Sequence, residues 1–345
     1  MTTREKNTVD DIDIRLLPGE KPTLKTISRL SGMAVPTVSR ALGDAPDISL
    51  ETKAKVRRIA DKIGYIPNRA GVRLRTGRTY VIALVLSTEH DVMNMTARLI
   101  SSIADGLRGS LYHLVVTPDF PDEDPMKAIR YIVETGSADA IIMNQIRPED
   151  PRVDYLMKQN FAFVTHGRTV WSDHHAFFDY DNRSFGKSAI EQLAKRGRKK
   201  ILMIAPPLNQ NYAIEMIEGA LSASKNANLN LNVLEEVTSD SEREDVESVV
   251  SRYISKQIGY DALISASPNA TMAAISGIEK AGHTVGHEVD VFSKETVPFL
   301  KLFRPKILCI SEDIAKAGEF LARSAIHAAE KREETPMQFL DIPQQ

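Results

Sequence analysis

The chain has 345 residues with 44 Lys plus Arg against 46 Asp plus Glu, for a net charge of −2. That length calls for two or three compact units, and 42% hydrophobic with 26% charged residues excludes wholesale disorder. The single cysteine, Cys309, excludes a disulfide framework and a Cys-based zinc finger and suits a reducing cytosol; the longest aliphatic run, Val81 to Leu86, is too short to span a bilayer. The N-terminus is polar and acidic, with no signal-peptide pattern, so a cytoplasmic location with no membrane partner is expected.

The near-zero total hides a division. Residues 1–20 carry three basic and five acidic side chains. Residues 21–80 carry thirteen basic against four acidic (Asp44, Asp47, Glu51, Asp61), for +9, and the remainder carries −9. A small basic module joined to a large acidic one points to a polyanionic partner, nucleic acid above all.

Within residues 21–66, Thr23 can cap a helix over Leu24 to Leu30, with Leu24, Ile27 and Leu30 at helical spacing. Ser31-Gly32-Met33 breaks it, and a second helix is predicted from about Val35 to Leu42, with Pro36 in its first turn and Val38 and Leu42 facing inward. Ser49 caps a third, whose Val56, Ile59, Ala60 and Ile63 form an apolar stripe ended by Gly64. Two short helices joined by a Gly-containing turn form a helix-turn-helix pattern. Residues 67–79, with Arg69, Arg73 and Arg75, form a hinge and linker. The nine residues from Pro67 to Arg75, which include Gly71, are too few to hold a helix alone in water, so order there is expected only on DNA or against a partner hinge. Residues 1–20 are expected to form a disordered arm.

From residue 80 to 345, the runs VIALVL, YHLVVT, AIIM, FAFVT, KILMIA, ALISA and VDVFS alternate with helix-like stretches such as Thr96–Leu107, Pro125–Thr135, Phe185–Arg196 and Thr271–Ala281. Continuous apolar runs suit strands covered on both faces, hence parallel sheets in α/β units. Ligand-facing residues are then expected just beyond the strand C-termini. Those are Ser87, Glu89 and Met93 after the first strand, Asn144, His166 and Arg168, Asp181 and Arg183, Tyr212, Ser267 and Asn269, and Lys294 and Glu295. His174-His175 beside Asp173 lacks a companion set at metal-ligand spacing, so no metal is expected. No G-x-S-x-G, P-loop or H-E-x-x-H motif is present, which argues against an enzyme and gives no cofactor.

The string from Thr23 to Thr79, with TVSRAL, the stripe ending in GYIPNR and the following A-x-x-x-L, resembles the DNA-binding headpiece of lactose-repressor/galactose-repressor (LacI/GalR) family regulators. DYDNRSFGKSAIEQLAKRGRKKILMI and LFRPKILCISEDIAKAG resemble later segments of the same family. The resemblance implies a helix-turn-helix headpiece hinged to a two-subdomain, periplasmic-binding-protein-like α/β domain that binds effector and dimerises. It also implies a homodimeric, ligand-responsive repressor of a carbohydrate uptake or catabolism operon, bound to palindromic double-stranded operator DNA. Thr23, Ala34, Val35, Pro36, Thr37, Ser39 and Arg40 would meet the DNA, with Asn68, Arg69, Arg73 and Leu74 in the hinge, Leu74 as an apolar wedge. Asn144 falls on a position that resembles an effector-contacting Asn of the family.

Three departures bear on the ligand. Met216 stands where the family commonly has Arg, Ser267-Pro268 where Asn-Asp is frequent, and Glu295-Thr296, preceded by Lys294, where two acids are frequent. The effector is a sugar, polyol, sugar acid or sugar phosphate; Lys294 and Arg183 would admit an acidic one, and a neutral sugar is favoured. The competing reading is a sugar-binding protein or sugar-modifying enzyme with a basic appendage.

Overall fold

The computed structural model describes residues 14–343 except 68–70, 72, 74–75, 88–94, 121, 256–258, 297 and 332. The chain divides after Thr79 into two compact units.

The first unit is built on three helices, α1 (Leu24–Ser31), α2 (Val35–Leu42) and α3 (Leu50–Lys62). The caps are the ones the sequence offers: Thr23 accepts the Thr26 N–H and Ser49 the Thr52 N–H, each at 3.2 Å. Gly32 ends α1 at φ +73°, a left-handed conformation that a side chain would strain. Ile27, Val38, Ala41, Val56, Ile59, Ala60 and Ile63 form the core. Ile14 and Leu16 pack against that core, and Glu20 accepts hydrogen bonds from the Leu17 N–H and from Arg29. The expected disordered arm over residues 1–20 is therefore corrected for its last seven residues. Two apolar side chains gain more from burial here than the polar composition of the arm suggested.

The second unit contains two parallel sheets. One has the order β11-β5-β4-β3-β1-β2, from β1 (Val81–Ser87), β2 (His113–Asp119), β3 (Ala140–Met143), β4 (Phe163–His166), β5 (Ala176–Tyr180) and the late β11 (Gln338–Asp341). The other runs β10-β9-β8-β6-β7, from β6 (Lys200–Ile204), β7 (Asn230–Val233), β8 (Ala262–Ser265), β9 (Asp290–Glu295) and β10 (Leu308–Ser311). Helices α4 (Met95–Gly106), α5 (Met126–Thr135), α6 (Pro151–Lys158) and α12 (Ile314–Glu330) cover the first sheet. The second carries α7 (Asn182–Lys195), α8 (Asn211–Asn226), α9 (Arg243–Ser255), α10 (Pro268–Lys280) and the short α11 (Leu300–Phe303). Each continuous apolar run lies in a buried strand except the edge strand β2, whose Val115 and Val116 are exposed. Strands β5, β7, β10 and β11 and helices α6, α8, α9, α11 and α12 were not among the anticipated runs and helix-like stretches.

The chain crosses from the first subdomain to the second once at residue 181 and returns at residue 312. Side chains on those crossing segments consequently lie between the two sheets. The α4–α12 contact is close enough that a Cβ at Gly318 would sit 1.9 Å from Ser102 Oγ. Among the described residues, no helix is long and apolar enough to cross a membrane.

Candidate functional site

In the first unit, Ala34 stands at the N-cap of α2 and offers no side-chain cap to its first turn. Thr23, Ala34, Pro36 and Arg40 are exposed, Val35, Thr37 and Ser39 are half-buried, and Val38 and Ala41 anchor the helix in the core. The helix therefore presents its N-terminal turn and one polar face to solvent. Arg40 forms an exposed ion pair with Asp47. Such a pair contributes little to folding and can be exchanged for a phosphate. Arg73 is exposed, and its carbonyl accepts the Gly77 N–H at 2.8 Å. Asn68, Arg69 and Leu74 lie outside the described residues.

In the second unit, the C-terminal ends of both sheets open onto one cleft of about 180 Å³. Of the residues expected there, Ser87, Asn144 and His166 stand on the first subdomain, and Tyr212, Ser267, Asn269 and Lys294 on the second. The loop carrying Asn144 is fixed from behind. Arg152 donates to the Asn144 and Gln145 carbonyls at 3.1 and 2.9 Å, while its charge is met by buried Asp150 at 2.7 Å.

Four expectations are corrected by the geometry. Asp181 caps α7, accepting from the Ser184 N–H at 2.9 Å, and Arg183 points outward to pair with Glu218. Glu295 is buried behind the wall, facing the Leu300 N–H. Arg168 does not line the cleft, because Asp179 and Glu215 hold its guanidinium at 2.8 and 2.6 Å. Glu89 and Met93 lie outside the described residues. Ser267 lines the wall and also caps α10 through the Ala270 N–H at 3.2 Å.

The cleft floor comes from residues the sequence reading passed over. Tyr180 and Asn182 lie on the first crossing segment and Glu312 on the second, with Asp179 and Asp240 on the walls. Lys294 forms an ion pair with Glu312, donates to Asn182 Oδ1 at 3.1 Å, and lies 4.2 Å from the centre of the Tyr180 ring. His166 Nε2 is 3.6 Å from the other Glu312 oxygen. Burial alone would raise the Glu312 carboxyl, but Lys294 and His166 outweigh it and hold it at about 2. At Asp179 burial wins, and despite Arg168 the carboxyl is pushed up to about 6. The end-of-strand rule, applied to KILCIS, would have found Glu312. Asp179, a carboxylate inside the apolar run AFFDY, carried its own signal, since a buried acid needs a partner.

The remaining sequence signals fall elsewhere. His175 is a buried core histidine whose Nε2 is 2.9 Å from Thr169 Oγ1, and burial lowers its pKa. Trp171, the sole tryptophan, packs against the first-subdomain core. Among the described residues, no group of three His, Cys, Asp or Glu could hold a metal ion.

A helix-turn-helix unit followed by two parallel-sheet subdomains around a polar cleft defines a DNA-binding regulator with a built-in small-molecule sensor. Residues 23–68 match the family model described as bacterial regulatory proteins, lacI family, and residues 118–297 match the periplasmic binding protein domain. The chain belongs to the lacI family of bacterial transcriptional regulators. It is 28% identical over 309 residues to the HTH-type transcriptional regulator AglR of Rhizobium meliloti (strain 1021), covering 88% of this chain and 86% of that one. It is 32% identical over 204 residues to RafR of Escherichia coli, covering 58% of this chain and 60% of that regulator. Two solved structures show the same fold: the lac repressor dimer bound to operator and the anti-inducer ONPF, and the CelR–cellobiose complex. The first has TM-score 0.78 at 16% identity, covering 94% of this chain and 97% of that one. The second has TM-score 0.67 at 20% identity, covering 94% and 98%.

Proposed function

We propose that this regulator is a dimeric repressor of a carbohydrate operon whose effector is a neutral sugar or polyol held between the two subdomains. The observation that carries the choice of ligand is the charge balance of the cleft. Among the described residues its one lysine, Lys294, is matched by Glu312, Asp179 is already paired with Arg168, and Asp240 adds negative charge. A sugar phosphate or sugar acid would have to displace a buried ion pair to find a cation, at a cost of several kcal/mol. Neutral hydroxyls meet the amides of Asn144, Asn182 and Asn269 and the hydroxyls of Ser87, Tyr212 and Ser239 without such a cost. The acidic ligand that Lys294 and Arg183 suggested from sequence is therefore disfavoured, since both are paired with glutamates. The solved relative complexed with cellobiose supports the same class.

On the DNA side, α2 is the segment we assign to the major groove, with the hinge arginines on the backbone and minor groove. Dimerisation is supported by exposed apolar side chains, Leu302 and Phe303 at 84% and 70% exposure and Val115 and Val116 on the outer edge of β2. Calorimetric titration with neutral oligosaccharides, including cellobiose, and with sugar phosphates tests the ligand class. Saturable binding confined to the neutral set is the expected result. Tighter binding of a sugar phosphate overturns it.

A further inference from the structure

The two subdomains meet along a seam that involves neither crossing segment. Arg168, two residues beyond β4, donates through Nε to Asp179 Oδ2 at 2.8 Å, within the first subdomain. Through Nη2 it donates to Glu215 Oε2 at 2.6 Å, on α8 of the second. One turn earlier on α8, the Asn211 N–H donates to the Ile146 carbonyl of the first subdomain at 2.8 Å. Gly167 makes this approach possible. Its φ is +120°, and a Cβ there would lie 3.2 Å from Ile146 Cβ.

We propose that Arg168 and Glu215 form an ionic latch that holds the subdomains closed around the cleft without ligand, with Asp179 keeping Arg168 in position. A planar guanidinium can serve two carboxylates at once through separate edges, which an ammonium group cannot do with the same geometry. The side chains of Arg168, Asp179 and Glu215 are 25%, 5% and 16% exposed, so water screens the contact far less than an ordinary surface pair. Opening the cleft about the two crossing segments would part Arg168 from Glu215 and Asn211 from Ile146 together. The Arg168–Asp179 bond lies within one subdomain and would survive. Glu215 is thus the breakable half of the latch, and its strength sets the balance of open and closed forms. The consequence for regulation rests on the effector-cleft reading above: closure that costs less before ligand arrives raises effector affinity, and linkage passes the change to DNA.

The test needs no ligand. Hydrogen exchange of the full-length, ligand-free protein is followed by mass spectrometry in the wild type, Glu215→Ala, Arg168→Lys and the double variant. The Asn211 amide, bonded across the seam, reports closure. Exchange of the peptide covering residues 208–214 should quicken about tenfold in Glu215→Ala and in the same direction in Arg168→Lys, with the double variant no faster than the larger single. Peptides over β6 and β8 should not change. Unaltered exchange at residues 208–214 in both single variants overturns the latch. So does quickening shared equally by the sheet peptides, because that is general loosening. Failure of every sugar to bind would sink the ligand assignment while leaving this result intact.

Discussion

The two units use charge in opposite ways. In the helical unit, most cationic side chains sit at the surface and form exposed ion pairs, as in Arg40–Asp47 and Arg57–Asp44, with the buried Lys53 the exception. In and beside the cleft of the α/β unit, the paired charged groups are largely buried, Lys294 with Glu312 and Arg168 with Asp179 and Glu215. Exposed pairs are weak and exchange readily for a phosphate, which suits a surface that must meet DNA. Buried pairs are costly to break from one side, which suits a cleft that must keep its shape while empty.

The contrast can be broken experimentally, beginning with the cleft. Lys294→Met leaves the Glu312 carboxylate buried and unmatched and should cost about 3–5 kcal/mol of stability, read by chemical denaturation. A loss no larger than that of an exposed lysine would mean the pair is dispensable. The Asp179 titration gives the next largest effect. Its folded-state pKa, about 6, lies above the ordinary value of 3.8, so the native state holds the proton more tightly than the unfolded chain. This contribution to stability is fully present below about pH 4 and is lost as pH rises through 6, amounting to about 3 kcal/mol. Asp179→Asn should remove the dependence, and a wild-type-minus-variant stability difference that stays flat from pH 4 to 7 contradicts it.

In the helical unit the effects should appear in DNA binding. Arg40→Ala is expected to weaken operator binding about tenfold or more while leaving the thermal midpoint unchanged. Affinity for operator should fall steeply with added salt as counterions are released, and a flat response in a gel-shift series would deny the basic module its role. Asp47→Ala should have the smallest effect. It frees Arg40, should leave stability unchanged and should raise operator affinity slightly; a marked loss of either would show that the pair orders the helix.

How much of this was legible beforehand follows from the range of the interactions. The headpiece could be read almost entirely. Thr23, Ser49 and Gly32 act within one turn of the chain, and the stripe of Val56, Ile59 and Ala60 needs only helical periodicity. The exception, Ile14 and Leu16 against the core, depends on a contact distant in sequence. The parallel sheets were visible as apolar runs because burial on both faces leaves a local mark. Part of the cleft followed from the rule that ligands gather at strand C-termini, and that rule pointed to Ser87, Asn144, His166, Tyr212, Ser267, Asn269 and Lys294.

The partners of those residues were not legible. Lys294 and Glu312 stand eighteen residues apart on different segments, and Arg168 and Glu215 forty-seven apart in different subdomains. A cation read in isolation left an acidic ligand open beside the favoured neutral one; the fold supplies its carboxylate and weighs further towards the neutral one. The amino-acid sequence alone was sufficient for the class of protein, the helix-turn-helix and the positions of the walls, because caps, periodicity and strand ends are short-range. Which charges remain available to a ligand depends on pairings closed by the chain's two crossings between subdomains, and those pairings exist only in the assembled structure.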